Sequence, residues 1–327
     1  MEKRYAKIIS TGRYLPERVM TNAEFEPLVG DVDAWLKENV GIAERRVVDN
    51  ETTSDMCTAA ARQALERADL DPTDIDLIIL GTDTPDYISP ATAPILQHKL
   101  GALNSGTFDI NSACASWVAG LDVAAKQITV DIDINNVLVV GGYAMTRFLD
   151  YHDKRTCTLF GDGAGAVVMS VSDEPGYLAS KLISKGQYYK SWGIYTGGAV
   201  SPINDNALNR PVMQFLEKFP VTFNNDNWPP LIRQTVAKAG LAAVDEVDFF
   251  LFTQLNVNTI KDVMQQLNQP LEKTHWIMDK WGYTGASCIP MALDDALVEG
   301  KGPRPGDVVL FCATGGGFSI ACAIFKW

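Results

Sequence analysis

Cys114 stands in "FDINSACASWVAG" (108–120), where an apolar run that reads as a buried strand gives way to one that reads as a helix. A cysteine in the first turn of a helix faces unpaired backbone N–H groups and the positive end of the helix dipole, both of which favour thiolate over thiol. The position therefore predicts a thiol pKa that falls from about 8.5 toward neutrality. The small neighbours Ser112, Ala113 and Ala115 leave room for an acyl group at the sulfur. The competing reading is a core thiol, because most buried cysteines behave as small hydrophobes, and it suits Cys57, Cys312 and Cys322. Further on, "TGGGFS" (Thr314 to Ser319) ends a strand in three glycines. Alone, such a triplet reads as a tight turn. Beside a helix-start cysteine, the backbone N–H groups of Cys114, Gly316 and Gly317 form a candidate oxyanion hole for a thioester carbonyl.

The rest of the composition narrows the chemistry. Six cysteines are scattered without CxxC pairs, so neither a zinc site nor a disulfide framework is expected, and no metal is called for. Only three histidines occur. A formal charge of −12 argues against nucleic acid and anionic membrane surfaces as partners. With 327 residues and 46% hydrophobic content, the chain can bury one large core or two fused ones. The opening "MEKRYAKIIS" lacks a signal-peptide apolar run, and no stretch reaches membrane-span length, so a cytoplasmic protein is expected.

The elements that must position these groups are written twice. "ARQALERADLDPTDIDLIILGTDTP" (61–85) pairs with "IRQTVAKAGLAAVDEVDFFLFTQLN" (232–256): a helix, an acidic turn and an apolar strand. "FDINSACASWVAGLDVAA" pairs likewise with "DKWGYTGASCIPMALDDAL", and "LFGDGAGAVVMSV" with "ATGGGFSIACAIF". Strands without polar alternation imply sheets covered on both faces. Two α/β halves, 1–172 and 173–327, are expected to pack as a five-layer α/β/α/β/α sandwich. Cys114 and the Tyr283–Ser287 turn then occupy matching corners near the pseudo-twofold axis. Residues 185–230 lack a counterpart in the first half and are rich in aromatics, among them Tyr188, Trp192, Phe215, Phe219, Phe223 and Trp228. They read as a lid or pocket wall beside the central cleft.

Over essentially its full length the chain resembles the β-ketoacyl-ACP synthase III (initiating ketosynthase) group of the thiolase superfamily. The resemblance is carried by "DAWLKENVGIAERRVV" (33–48), "DINSACASWVAGLDVA", "LFGDGAGAVV", "YTGASCIPMALDDAL" and "ATGGGF". It implies a thiolase fold, acyl transfer from a thioester to Cys114, a pantetheine tunnel and a homodimer. It also implies Trp35 and Lys154 at the tunnel mouth and Phe160 near the pocket. No tightly bound cofactor is expected, and acyl-CoA or another pantetheine thioester is the expected acyl donor.

Two departures bear on the reaction. Condensing members of that group carry a Cys-His-Asn triad, in "HQAN"-like and "GNTSAAS"-like motifs. The matching stretches here are "TQLN" and "GYTGAS", which put Thr253 at the histidine position and Tyr283 at the asparagine position. None of His98, His152 and His275 aligns with the missing histidine. Donors or acid-base groups at such positions contribute factors of about 10² to 10⁴ each, so malonyl decarboxylation is expected to be severely impaired. Secondly, the helix that the group uses to receive an acidic acyl carrier protein reads "NVNTIKDVMQQLNQ", with Lys261 its only base. The tunnel-mouth arginine is replaced by Asn39, although Lys154 and Arg155 remain. Weak carrier docking is expected.

The leading expectation is a thioester-dependent acyltransferase of specialised metabolism that passes an acyl group from Cys114 to a non-malonyl acceptor. Thr253, Gln254, Leu255 and Asn256 line the acceptor side in this reading, and Tyr283 relays a proton. The alternatives are a carbon-carbon bond-forming condensing enzyme and a non-catalytic partner subunit of a heteromeric synthase.

Overall fold

The computed structural model describes residues 3–203 and 210–327. Val, Ile and Leu runs become central strands, as their lack of polar alternation requires. The first sheet contains β1 (Tyr5–Tyr14), β2 (Leu77–Gly81), β3 (Gly106–Ile110), β4 (Asn136–Tyr143) and β5 (Gly163–Ser172). Their order is β1-β5-β4-β2-β3, with β3, β2 and β4 parallel. The second sheet contains β6 (Tyr177–Ser184), β7 (Phe249–Phe252), β8 (Val308–Gly315) and β9 (Ser319–Lys326), in the order β6-β9-β8-β7.

The two orders are the same path walked twice. Leu77 pairs with Val137 and Phe249 with Val309, at a common offset of 172 (249−77 and 309−137). The acidic turns repeat as well. The Asp76 carboxylate accepts from the Asn136 N–H at 2.9 Å, and that of Asp248 from the Val308 N–H at 2.9 Å. Where the first sheet has β3, the second keeps a single bridge between Thr274 and Phe250.

Helices α1 (Thr53–Ala68) and α2 (Thr92–Leu100) cover the outer face of the first sheet, and α4 (Phe223–Lys238) and α5 (Val257–Gln266) that of the second. Between the sheets lie α3 (Ser116–Val130) and α6 (Cys288–Val298), with α3 touching strands of both. This is the expected five-layer sandwich. Both inner helices are buried along most of their length, and Trp117 of α3 meets Phe311 of β8 edge-on at 5.4 Å. Capping sets the outer helices: the Thr52 hydroxyl accepts from the Asp55 N–H and the Asp55 carboxylate from the Thr52 N–H, closing the start of α1.

One sequence boundary needs correction. The segment without a counterpart was expected to run to residue 230, yet α4 begins at Phe223 and matches α1 in place and length. Phe223 and Trp228 are therefore helical, and α4 continues through Pro229 and Pro230. Residues 204–209 of the same segment lie outside the described residues. Among the described residues, no helix is long and apolar enough to cross a membrane.

Candidate active site

Cys114 follows β3 and precedes α3 in a tight turn tied by its neighbours. The Ser116 hydroxyl accepts from the Ser112 N–H at 2.8 Å and donates to the Ala113 carbonyl at 2.5 Å, while Asn111 Oδ1 accepts from the Ala113 N–H at 3.0 Å. Ala113 takes φ +48°, a left-handed conformation that an alanine adopts only when its surroundings impose it. Gly315, at the end of β8, presses on this turn so closely that a Cβ there would lie 1.9 Å from the Ser112 carbonyl oxygen. Only glycine fits.

This geometry corrects the expected electrostatics. Ala115 is the N-cap of α3, so Cys114 lies just before the helix and not in its first turn. The sulfur is also buried, the residue being 7% exposed. Burial pushes the thiol well above its ordinary value and the nearby Asp83 carboxyl adds to the rise; the Tyr283 hydroxyl, by hydrogen bonding to the sulfur, acts in the opposite direction. Burial therefore favours the thiol over the thiolate. Tyr283 is itself raised well above the tyrosine range, by burial first and by Cys114 next, and so keeps its proton to donate.

The sulfur opens into a cavity of about 400 Å³. Its floor is formed by Cys114, Tyr283, Thr253, Thr314, Gly315 and Gly316, and its walls largely by aromatics: Trp192, Phe215, Phe219, Phe223, Trp228 and Phe318. The rings meet edge to face, with Trp192 against Phe215 at 4.0 Å and Phe223 against Phe318 at 4.4 Å. Trp192, Phe215 and Phe219 of the aromatic segment thus form part of the pocket wall, together with Phe223 and Trp228 of α4 and Phe318. Trp35, 56% exposed, stands at the mouth. Thr253 Oγ1 accepts from the Thr314 N–H at 3.2 Å, and Trp228 Nε1–H donates to Thr314 Oγ1 at 2.7 Å. Both threonine hydroxyls accept from N–H donors, which leaves their protons to point elsewhere. Apart from the contact of Cys114 with its own sulfur, the N–H groups of Cys114 and Gly316 donate no hydrogen bond among the described residues. A thioester carbonyl oxygen at the cavity floor can take both.

Several expected site residues fall elsewhere. Leu255 and Asn256 line the cavity, but Gln254 is fully buried, its amide donating to the His275 carbonyl at 3.1 Å and accepting from the Ile277 N–H at 2.8 Å. It is a structural clamp. Gly317 is absent from the cavity wall, where Gly315 and Gly316 stand instead; its φ of +75° marks it as the turn residue. Lys154 is exposed and is not among the residues that line the cavity. Phe160 supports from behind, packing on Tyr283 at 5.8 Å and Trp192 at 5.6 Å. His275 pairs with Asp295 at 2.9 Å, and Lys280 sits on Asp295 and Glu299 at 2.7 and 3.0 Å, so that lysine already holds the charge of this acidic cluster.

Sequence reasoning missed Thr314 and Asn224, both in the cavity wall, and the Asn224 Oδ1 is buried without a partner. The place of Thr314 directly before the glycine triplet was the available signal; Asn224, in the first turn of a helix that the sequence shows only from residue 232 onward, offered none.

Residues 108–186 match the family described as 3-oxoacyl-[acyl-carrier-protein (ACP)] synthase III, and residues 236–327 match its C-terminal family. Over 326 residues, 99% of each chain, the protein is 40% identical to the β-ketoacyl-[acyl-carrier-protein] synthase III of Alkalilimnicola ehrlichii. The chain belongs to the 3-oxoacyl-[acyl-carrier-protein] synthase III family. As a member of this synthase III family it is an enzyme of the transferase type. The crystal structure of the Aquifex aeolicus synthase III is similar at 35% identity and a TM-score of 0.88, with 98% of this chain and 100% of that one covered. The priming β-ketosynthase of the R1128 polyketide biosynthetic pathway is similar at 30% identity and a TM-score of 0.93, with 99% and 97% covered.

Proposed function

We propose that this synthase III-family chain is a cytoplasmic, thioester-dependent acyltransferase that carries its acyl group on Cys114, with acyl-CoA as donor and no tightly bound cofactor. The observation that carries the reading is the position of Cys114 on the floor of an aromatic cavity, between the undonated N–H groups of Cys114 and Gly316 and the hydroxyl of Tyr283. In the first half-reaction the Cys114 sulfur attacks the thioester carbon. The donor carbon–sulfur bond breaks, a new one forms to Cys114, and the thiol proton leaves on coenzyme A. The two N–H groups hold the oxyanion, and Tyr283 steadies the thiolate that must form first.

For the second half-reaction, the pair Thr253 and Tyr283 supports an acceptor other than a decarboxylating malonyl unit, as in specialised metabolism. An oxygen, nitrogen or preactivated carbon of the acceptor attacks the acyl-Cys114 carbonyl, and the sulfur recovers its proton from the acceptor. Tyr283 relays that proton by giving one as it takes another, since its own ionisation is strongly opposed. Thr253, Leu255 and Asn256 flank the acceptor path.

A second reading is favoured by the names of the relatives: β-ketoacyl synthesis, in which carbon-carbon condensation follows the same loading step. Carbon dioxide release from malonyl thioesters separates the two. With Cys114 acylated, the first reading expects release at least about 10²-fold below that of a protein with the His and Asn donors, and the double change Thr253→His with Tyr283→Asn raises it. Efficient release by the unaltered protein would install condensation as the function. A non-catalytic subunit is opposed by the strained turn retained around Cys114.

The chain is further proposed to act as a homodimer with weak docking of acyl carrier protein. On α5 the exposed face offers Asn258, Gln265 and Gln266, with Lys261 beside Asp262. Asn258 is engaged with the Asn39 carbonyl at 3.1 Å and Asp262 with Asn225 at 3.2 Å. An acidic carrier meets little positive potential there. Loading from a carrier is expected to be slower than from coenzyme A at low salt and to gain as salt rises; a faster carrier reaction at low salt would reject this part.

A further inference from the structure

The mechanism above leaves three buried polar atoms unexplained. Asp83 Oδ1, Tyr143 Oη and Thr284 Oγ1 are all buried without a hydrogen-bond partner. Such orphaned groups are costly unless something not yet present satisfies them. Two of the three stand with Cys114 at the ends of neighbouring strands. Asp83 follows the end of β2, Tyr143 is the last residue of β4, and Cys114 follows the end of β3. These three strands are adjacent and parallel, and ligands of parallel sheets gather beyond the carboxyl ends of the strands.

The group stands close around the nucleophile. The end of β2 is held against the start of α3, where a Cβ on Gly81 would lie 2.9 Å from Ser116. The Thr82 N–H donates to the Ile110 carbonyl at 3.2 Å, which ties the Asp83 loop to the strand leading into Cys114. The Tyr143 ring packs on Phe160 at 6.1 Å and on Tyr283 at 6.5 Å. Among charged groups, Asp83 weighs most on both the Cys114 thiol and the Tyr143 hydroxyl. Burial pushes its own carboxyl up to about 6. Neither Asp83 nor Tyr143 lines the aromatic cavity through which donor and acceptor reach the sulfur. They stand instead at the strand ends flanking Cys114, within reach of an acyl group on the sulfur that turns toward them.

From this juxtaposition we infer that Asp83 and Tyr143 form a polar acyl subsite, which selects acyl groups carrying a hydrogen-bond donor a few atoms from the thioester carbonyl, a hydroxyl or an ammonium. The inference rests on the reading of Cys114 as acyl acceptor and adds the class of acyl group to it. An alkyl end placed there leaves the carboxylate oxygen and the phenol unsatisfied, whereas a donor group pairs with them, and sites built to bind such a group discriminate strongly against the analogue lacking it.

Three isosteric thioesters test it: butyryl-CoA, 3-hydroxypropionyl-CoA and β-alanyl-CoA, which end in methyl, hydroxyl and ammonium. The readout is the rate of Cys114 acylation by intact mass, as the ratio of each polar donor to butyryl-CoA within one protein. A variant that folds only in part changes all three rates together and leaves the ratios intact. The subsite predicts a ratio of at least tenfold in favour of one or both polar donors. Asp83→Ala brings both ratios to one or below. Asp83→Asn, which keeps an acceptor and loses the charge, preserves any preference for hydroxyl and removes that for ammonium. Equal or faster loading of butyryl-CoA by the unaltered protein, or ratios untouched by Asp83→Ala, would overturn the subsite and leave the acyl-Cys114 reading standing. Failure of all three thioesters to acylate Cys114 would overturn that reading itself, and the subsite with it.

Discussion

The corner that carries Cys114 and its counterpart in the second half have one backbone and two occupations. Ala113 and Gly285, 172 residues apart, both take φ +48°. The Ala115 N–H donates to the Ser112 carbonyl at 3.1 Å, and the Ser287 N–H to that of Thr284 at 2.9 Å. The left-handed residue turns the chain sharply from strand end to helix start in both places. In the first half the turn presents a cysteine to a cavity. In the second, Ala286 stands at the matching position, and Tyr283, the match of Asn111, reaches across toward the sulfur instead of closing its own turn. The two halves thus offer matching mounts, one carrying the cysteine proposed as nucleophile and the other the tyrosine hydroxyl that faces it. The cost of strain differs too. Ala113 tolerates its Cβ, whereas a Cβ on Gly285 would lie 2.1 Å from the Tyr143 ring.

The largest way to break this comparison is to remove the nucleophile. Cys114→Ala should abolish covalent acylation, with Cys288 at the opposite corner remaining unmodified in peptide maps. Next in size is Tyr283→Phe. Hydrogen bonds to charged groups contribute about 1.5–3 kcal/mol, so the loss should move the pH dependence of Cys114 alkylation upward by about one to two pH units. The sign follows from the raised thiol: alkylation by iodoacetamide in the unaltered protein should climb steadily from pH 7 to 9, and the variant should climb later. An unmoved profile would remove Tyr283 from the thiolate's surroundings.

Smaller effects compare the two mounts directly. Gly285→Ala should destabilise by about 1–3 kcal/mol through its clash with Tyr143, read as a lower unfolding midpoint in denaturant. Ala113→Gly relieves left-handed strain but frees the unfolded chain, so the net change should stay within about 1 kcal/mol. Equal effects at the two positions would show that Tyr143 does not pack where its ring is seen.

Much of this was legible in the sequence. The repeat and the layered α/β arrangement followed from apolar runs and acidic turns recurring at a fixed offset, whereas the order of the strands in each sheet is not written in any one strand's composition. Cys114 was singled out by its strand-to-helix corner, and Thr253, Leu255, Asn256 and Tyr283 by stretches that resemble the ketosynthase motifs; all five line the cavity. The failures have a common physical origin. Gln254 stands between two cavity residues, but side chains alternate along an extended segment, and its amide turns inward to His275 and Ile277. The pKa of Cys114 was misjudged because a cysteine one residue ahead of the N-cap gains less from the helix than burial takes away. Asp83 drew no attention, since an acidic residue in "GTDTPDY" reads as an ordinary turn until its oxygen is seen buried and unpaired.

The central claim is that Cys114 carries the acyl group. Incubation of the protein with short acyl-CoA thioesters, followed by intact-mass measurement and mapping of the modified peptide, tests it most directly. The account predicts a single acyl addition on the peptide containing Cys114, lost in Cys114→Ala. Acylation of another cysteine, or an unmodified protein with every thioester offered, would contradict it.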